Sequence, residues 1–240
     1  MQSTGAVPLR FARPIALGGL IFFIDALLYF AYRYTSAFGR ELFVPANTAA
    51  IVFDITLFTV FALHHSVFAR DAVRKRITRI VGALERSVYV WVASALFIAV
   101  CAWWQPVGGV VWRVDQPLFV WMMRAAQLLG VWLTLRSAFV IDLFELSGVR
   151  QLEPAPTTSS PVFKTSGPYG WVRHPIYAGW FLLVFSVSLM TMTRFVFAAT
   201  SCAYLLMAIP FEERSLRSST GGSYDAYMRE VQWKLLPGVF

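Results

Sequence analysis

The sequence predicts an all-α integral membrane protein of about six apolar helices, four spanning and two in a C-terminal hairpin. Three observations lead there. Of 240 residues, 58% are apolar and only 14% charged, and the mean hydropathy of +0.59 does not describe a soluble chain. Apolar runs recur at about the 20 residues that cross roughly 30 Å of hydrocarbon as helix. The cations, 21 against 13 acids, gather between alternate runs.

The first run, 14–32, follows Arg10 and Arg13 as in a signal peptide but has no small-residue cleavage site, so it predicts a retained helix. Runs at 47–69, 86–104 and 117–141 complete the spanning set. The stretch 176–210 is too long for one helix and is interrupted at Thr191-Met192-Thr193-Arg194, which predicts two shorter helices ending at Pro210. Prolines 154, 156, 161 and 168 make 150–168 a loop, and the polar tail predicts short interfacial helices over 212–216 and 224–231. The chain thus divides into a 1–141 four-helix bundle and a 142–240 loop, hairpin and tail, within one integrated membrane domain.

With the N-terminus cytoplasmic, 15 Lys and Arg fall inside, 4 outside and 2 (Arg124, Arg136) within a helix, so both termini are expected on the cytoplasmic side. The largest cation group, Arg70 to Arg86, is then a loop that sets topology, and no nucleic-acid partner is needed. Cys101 and Cys202 lie in apolar runs, which gives no disulfide framework. Three histidines without a second Glu/His pair at helical spacing predict no metal site. Neither a dinucleotide fingerprint, a P-loop nor a Gly-x-Ser-x-Gly elbow occurs.

Asp25, Asp54, His64, His65, Arg124 and Arg136 are polar residues inside the runs, where burial favours a functional or a mutually neutralising role. Asp54 and His65 share a helical stripe with Phe58 and Phe61, while His64 points roughly 80° away. Two aspartates neutralising two arginines is the structural alternative for four of these residues.

The densest motif is Gly167-Pro168-Tyr169-Gly170-Trp171-Val172-Arg173-His174-Pro175-Ile176-Tyr177-Ala178-Gly179. Gly-Pro makes a turn, Pro175 suits a first helical position, and Gly179 permits close approach. Tyr169, Trp171 and Tyr177 offer faces for a purine; Arg173 and His174 offer donors to a carboxylate or hydroxyls. At the far end of the hairpin Glu212 and Glu213 offer carboxylates to an ammonium. A tight hairpin would set the two ends side by side, a match for S-adenosylmethionine.

The pattern G-P-Y-x-x-V-R-H-P-x-Y-x-G, then E-E-x-x-L and G-x-x-Y-x-x-Y, resembles the membrane methyltransferase superfamily that includes isoprenylcysteine carboxyl and phospholipid N-methyltransferases. The resemblance implies an S-adenosylmethionine site formed by Tyr169, Val172, Arg173, His174, Pro175, Tyr177, Gly179, Glu212 and Glu213. His65-Ser66-Val67-Phe68-Ala69-Arg70, Glu85-Arg86-Ser87-Val88-Tyr89, Trp104-Gln105-Pro106 with Val111-Trp112, and Asp142-Leu143-Phe144 with Val149-Arg150-Gln151 are similar to its methanethiol S-methyltransferase branch. The chain departs from that branch in His64, where glutamine is common, and in a short 150–165 loop.

By this likeness the expected reaction is methyl transfer to a small apolar thiol, methanethiol giving dimethyl sulfide. His65 is the candidate base or orienting group; Arg86 would favour a thiolate, with Tyr89 and Asp142 in support. A lipid amine or prenylated carboxylate as acceptor, and a non-catalytic membrane module, are the alternatives. Membrane lipids are expected around the helices, no obligate protein partner is evident, and the likeness suits a bacterial inner membrane with a cytoplasmic active site.

Overall fold

The computed structural model describes residues 9–43, 45–68, 70–142, 148–149, 152, 166–220 and 222–240. Eight helices occur among them: α1 (Leu9–Thr35), α2 (Thr48–Phe68), α3 (Asp71–Val81), α4 (Glu85–Trp103), α5 (Pro117–Ile141), α6 (Pro175–Phe185), α7 (Met192–Ser219) and α8 (Ser223–Glu230). Among the described residues five helical stretches are long and apolar enough to cross a membrane. Their outer surfaces carry bare side chains such as Leu28, Val60, Leu128 and Phe139, while Asp54, Ser87 and Ser137 are fully buried. A chain with its polar groups inside and its apolar groups outside is an integral membrane protein.

The chain forms two compact units, and they do not follow sequence order. The first comprises 1–38, 49–105 and 142–157; the second comprises 39–48, 106–141 and 158–240, so compactness groups α5 with the C-terminal elements.

In the first unit α1 and α4 pack through small residues. A methyl group on Gly18 or Gly19 would stand 3.1 Å from the Trp91 ring. That indole donates its Nε1–H to the Ile15 carbonyl at 3.0 Å and stacks on Phe22 at 4.9 Å. At the other end of α4 the buried Asp54 carboxylate accepts the Gln105 backbone N–H at 2.7 Å, which holds the end of α4 to α2.

The second unit contains a small antiparallel pairing, β1 (Val110–Arg113) with β2 (Leu189–Thr191). Thr191 closes β2 and caps α7, its hydroxyl accepting the Arg194 N–H at 3.2 Å. Helices α5 and α6 cross where glycines allow backbone contact: a Cβ on Gly130 would lie 2.6 Å from the Gly179 carbonyl oxygen. Leu133, Ala178, Ile209 and Leu235 form the apolar cluster beside that crossing.

The long helices coincide with the apolar runs to within a few residues, whereas shorter features differ. The cation-rich stretch expected as a loop is the helix α3, since its apolar residues recur at helical spacing and Gly82, at φ 60, ends it. The hairpin arms are unequal, 11 and 28 residues, because α7 continues through Pro210 to Ser219. Pro210 removes one backbone N–H on an exposed face, a loss a long membrane helix tolerates. The 212–216 turn is therefore part of α7. Most of the predicted 150–168 loop lies outside the described residues.

Candidate functional site

Two polar clusters stand out, one in each unit. In the second unit, Gly167 adopts φ 63 and starts a tight turn over Gly167–Gly170. Pro175 then occupies the first turn of α6, where its missing N–H is no loss. Between turn and helix the backbone bonds to the C-terminal segment. Arg173 N–H donates to the Trp233 carbonyl and His174 N–H to the Lys234 carbonyl, both at 2.9 Å.

The side chains lock the same junction. Arg173 Nε donates to Glu213 Oε1 at 2.8 Å, and its Nη1 donates to the carbonyls of Val231 at 2.9 Å and Gln232 at 2.7 Å. His174 Nε2 lies 3.2 Å from the same Glu213 oxygen. Arg173, His174 and Glu213 are all below 10% exposed, at 7%, 6% and 9%, so this charged group is almost out of water. Burial makes the pairing obligatory, since any one member removed strands the others.

Glu212 differs. Its side chain is 45% exposed, accepts the Tyr177 hydroxyl at 2.8 Å, and has His174 Nδ1 at 3.6 Å. Glu213 is matched by Arg173, so Glu212 is the carboxylate of the pair that an incoming cation can reach. Tyr227 donates its hydroxyl to the Tyr169 carbonyl at 2.7 Å, and burial pushes its phenol up to about 12. Burial, then the Glu212 charge, raises the Tyr169 phenol as well, so both rings stay neutral.

In the first unit, Arg86 and Tyr89 lie on one face of α4, and the Arg86 guanidinium sits 4.9 Å from the Tyr89 ring centre. The Tyr89 hydroxyl is 2.8 Å from His65 Nδ1. The His64 ring stacks on Tyr89 at 5.6 Å and 17°, and meets Phe68 tilted by 30° at 4.4 Å. Among the described residues, both enclosed His64 nitrogens and the buried Ser87 hydroxyl, against which Gly148 is pressed, make no hydrogen bond. An imidazole always offers a donor or an acceptor at each nitrogen, and no described residue meets either one here.

Relatives match along most of the chain. A methanethiol S-methyltransferase from Crocosphaera subtropica is 34% identical over 82% of this chain and 83% of its own length. One from Mycobacterium tuberculosis is 35% identical over 86% and 90% respectively. The chain belongs to the methanethiol S-methyltransferase family. The model of the isoprenylcysteine carboxyl methyltransferase family matches residues 155–218. A protein named Nurim from Xenopus laevis is 30% identical over 63% of this chain and 57% of that protein. No solved structure matches.

Within this family frame, the structure brings Tyr169, Val172, Arg173, His174, Pro175, Tyr177, Glu212 and Glu213 together around one end of α6 and the polar end of α7. Gly179 lies at the α5 crossing, where an added Cβ would collide with the Thr134 hydroxyl and the Gly130 carbonyl. Its lack of a side chain is thus required by helix packing. Arg86, Tyr89 and His65 converge. Asp142, at φ 90, is a left-handed residue directly after α5.

Sequence reasoning set His64 apart from His65 by its angle on the helix wheel, yet both rings reach Tyr89 because that ring is broad enough to meet two adjacent side chains. It also did not anticipate that 231–234 would supply four backbone carbonyls to Arg173 and His174. Main-chain acceptors leave no residue-type signature, although the Tyr-x-x-Tyr spacing of Tyr224 and Tyr227 marks the helix that leads into them.

Proposed function

We propose that this membrane enzyme transfers the methyl group of S-adenosylmethionine to the sulfur of a small apolar thiol, converting methanethiol to dimethyl sulfide. The observation that carries the reading is the match to methanethiol S-methyltransferases over more than four-fifths of the chain, spanning residues of both polar clusters.

The residues present fit the cofactor. Glu212 offers an exposed carboxylate to its ammonium, and Tyr177 and Trp171 offer aromatic faces. When bound, the cofactor supplies an electrophilic methyl group on a sulfonium. Arg173, His174 and Glu213 hold the walls of that site in place. Arg173 acts here as a positioning residue, since Glu213 and the 231 and 232 carbonyls already engage it.

At the acceptor, an imidazole would take the thiol proton and leave a thiolate sulfur, to which the methyl donor, when bound, would supply its methyl group. His65 is the proposed base, oriented by the Tyr89 hydroxyl, with Arg86 favouring the thiolate. His64, with both nitrogens unengaged, is a second imidazole able to meet the thiol hydrogen. Asp142 is proposed in support. The cation distribution supports a cytoplasmic active site with both termini on that side, and the likeness to bacterial relatives suits a bacterial inner membrane.

The test is purified protein with methyl-labelled S-adenosylmethionine, offered methanethiol, hydrogen sulfide, a prenylcysteine and phosphatidylethanolamine. Label in dimethyl sulfide supports the reading. Label only in the prenyl ester or the lipid would move the acceptor to the other branches of the superfamily, and no transfer to any of them would end the reading.

A further inference from the structure

Helix α3 has no part in either polar cluster, and its composition is unlike its neighbours. Over Asp71–Val81, Val73, Ile77, Ile80 and Val81 fall within an arc of about 100°, while Lys75 and Arg79 lie opposite and Arg74 and Arg76 flank the arc. Val73, Ile77 and Val81 are half-buried, Val81 against the cluster of Ala12, Ala16, Leu84 and Leu152. Ile80, on the same stripe, is 79% exposed. Arg74, Lys75, Arg76 and Arg79 are exposed too. Arg74 has Glu85 at 3.9 Å; Lys75, Arg76 and Arg79 form no ion pair among the described residues.

The position of α3 decides what meets this surface. It joins the end of α2 at Phe68 to the start of α4 at Glu85 and forms the cation-rich end of the candidate span Val73–Trp103, so its four cations lie where that helical stretch leaves the hydrocarbon. A bare isoleucine there is satisfied by the acyl boundary, and long cationic side chains flanking it reach up to headgroup phosphates. Zwitterionic headgroups would accept Ile80 but offer no net charge to three unpaired cations. We propose that α3 is an interfacial docking surface for anionic phospholipid, with Lys75, Arg76 and Arg79 binding the headgroups and Ile80 the acyl boundary.

The experiment is native mass spectrometry of the full-length protein released from micelles containing equal phosphatidylglycerol and phosphatidylcholine. The natural chain should retain phosphatidylglycerol preferentially. Lys75→Gln/Arg76→Gln/Arg79→Gln should reduce that retention by roughly fivefold per charge removed, and Ile80→Ser should weaken retention of both lipids. A control, Arg214→Gln/Arg229→Gln, removes exposed cations elsewhere and should leave the preference in place. Equal retention of the two lipids by the natural chain, or an unchanged preference in the triple variant, overturns the proposal. If the triple variant is not recovered folded, the single exposed change Arg79→Glu carries the same test: an unchanged preference overturns the proposal and a reduced one supports it.

Discussion

The two polar clusters are built on opposite terms. Around Arg173 each buried charge is answered: Glu213 by Arg173 and His174, and the guanidinium by two carbonyls of the C-terminal segment. Around Tyr89 one imidazole is oriented by the phenol, and the other has two enclosed nitrogens with no hydrogen-bond partner among the described residues. Saturated pairing gives rigidity and unfilled hydrogen-bonding capacity gives chemistry. Under the proposed function the first cluster would supply stability and cofactor placement, and the second the acceptor chemistry.

The strongest way to break that contrast is at Arg173. Arg173→Met should destabilise the protein by about 3–5 kcal/mol, because Glu213 is left buried without its cation and two carbonyls lose a donor. Thermal unfolding in detergent would read this directly. Arg173→Met/Glu213→Met should recover much of the stability, since an apolar pair carries no stranded charge. A double variant no better than the single one would show that the ion pair is not what holds the junction.

The acceptor cluster should respond in rate. His65→Ala is expected to lower kcat by about 10²–10⁴-fold with the cofactor dissociation constant largely kept, the range removed with a general base. His64→Ala tested beside it sharpens the comparison, for the unpaired ring should lose rate and the Tyr89-bound ring should lose rate and orientation. Wild-type turnover in His65→Ala would remove it from the mechanism, and His64→Gln, which keeps a donor and an acceptor, should retain more activity than His64→Ala.

How legible this was in the sequence depends on the scale. The apolar runs at 47–69, 86–104 and 117–141 became α2, α4 and α5 almost residue for residue, because hydrophobic length in a membrane leaves few choices. The juxtaposition of Arg173-His174-Pro175 with Glu212-Glu213 was legible because two apolar runs joined by a short connection turn back on each other, although the long arm runs on past Glu213 to Ser219. The helical state of 71–81 was obscured by charge: four cations in eleven residues look like a topology loop until the spacing of Val73, Ile77, Ile80 and Val81 is weighed. The close approach that Gly179 permits was legible, but its partner was not, because Gly130 is remote in sequence and equally featureless.

That glycine pair separates packing from ligand contact. Gly179→Ala puts a methyl group against the Thr134 hydroxyl and the Gly130 carbonyl and should destabilise by about 1–3 kcal/mol through forced separation of α5 and α6. Gly130→Ala, on the opposite helix, should produce a similar loss. Equal falls in melting temperature for the two variants would place Gly179 in the packing of the unit. A loss of cofactor affinity in Gly179→Ala without any fall in melting temperature would return it to the cofactor site.

The smallest effect is expected at Glu212, and it tests the division of labour within the Glu-Glu pair. Glu212 is the more exposed carboxylate, so water and salt screen its charge, and the loss on removing it is correspondingly modest. Glu212→Gln keeps an acceptor for the Tyr177 hydroxyl and removes only the charge, so folding stability should be unchanged. The KM for S-adenosylmethionine should rise roughly threefold to tenfold, more at low salt than at high salt, while kcat is kept. Glu213→Gln should do the reverse, lowering the melting temperature before it changes a binding constant, because the buried partner of Arg173 is what has been weakened. If both variants raised KM equally and neither lost stability, the two carboxylates would be sharing the ligand charge, and the contrast between a saturated scaffold and one exposed carboxylate beside it would fail.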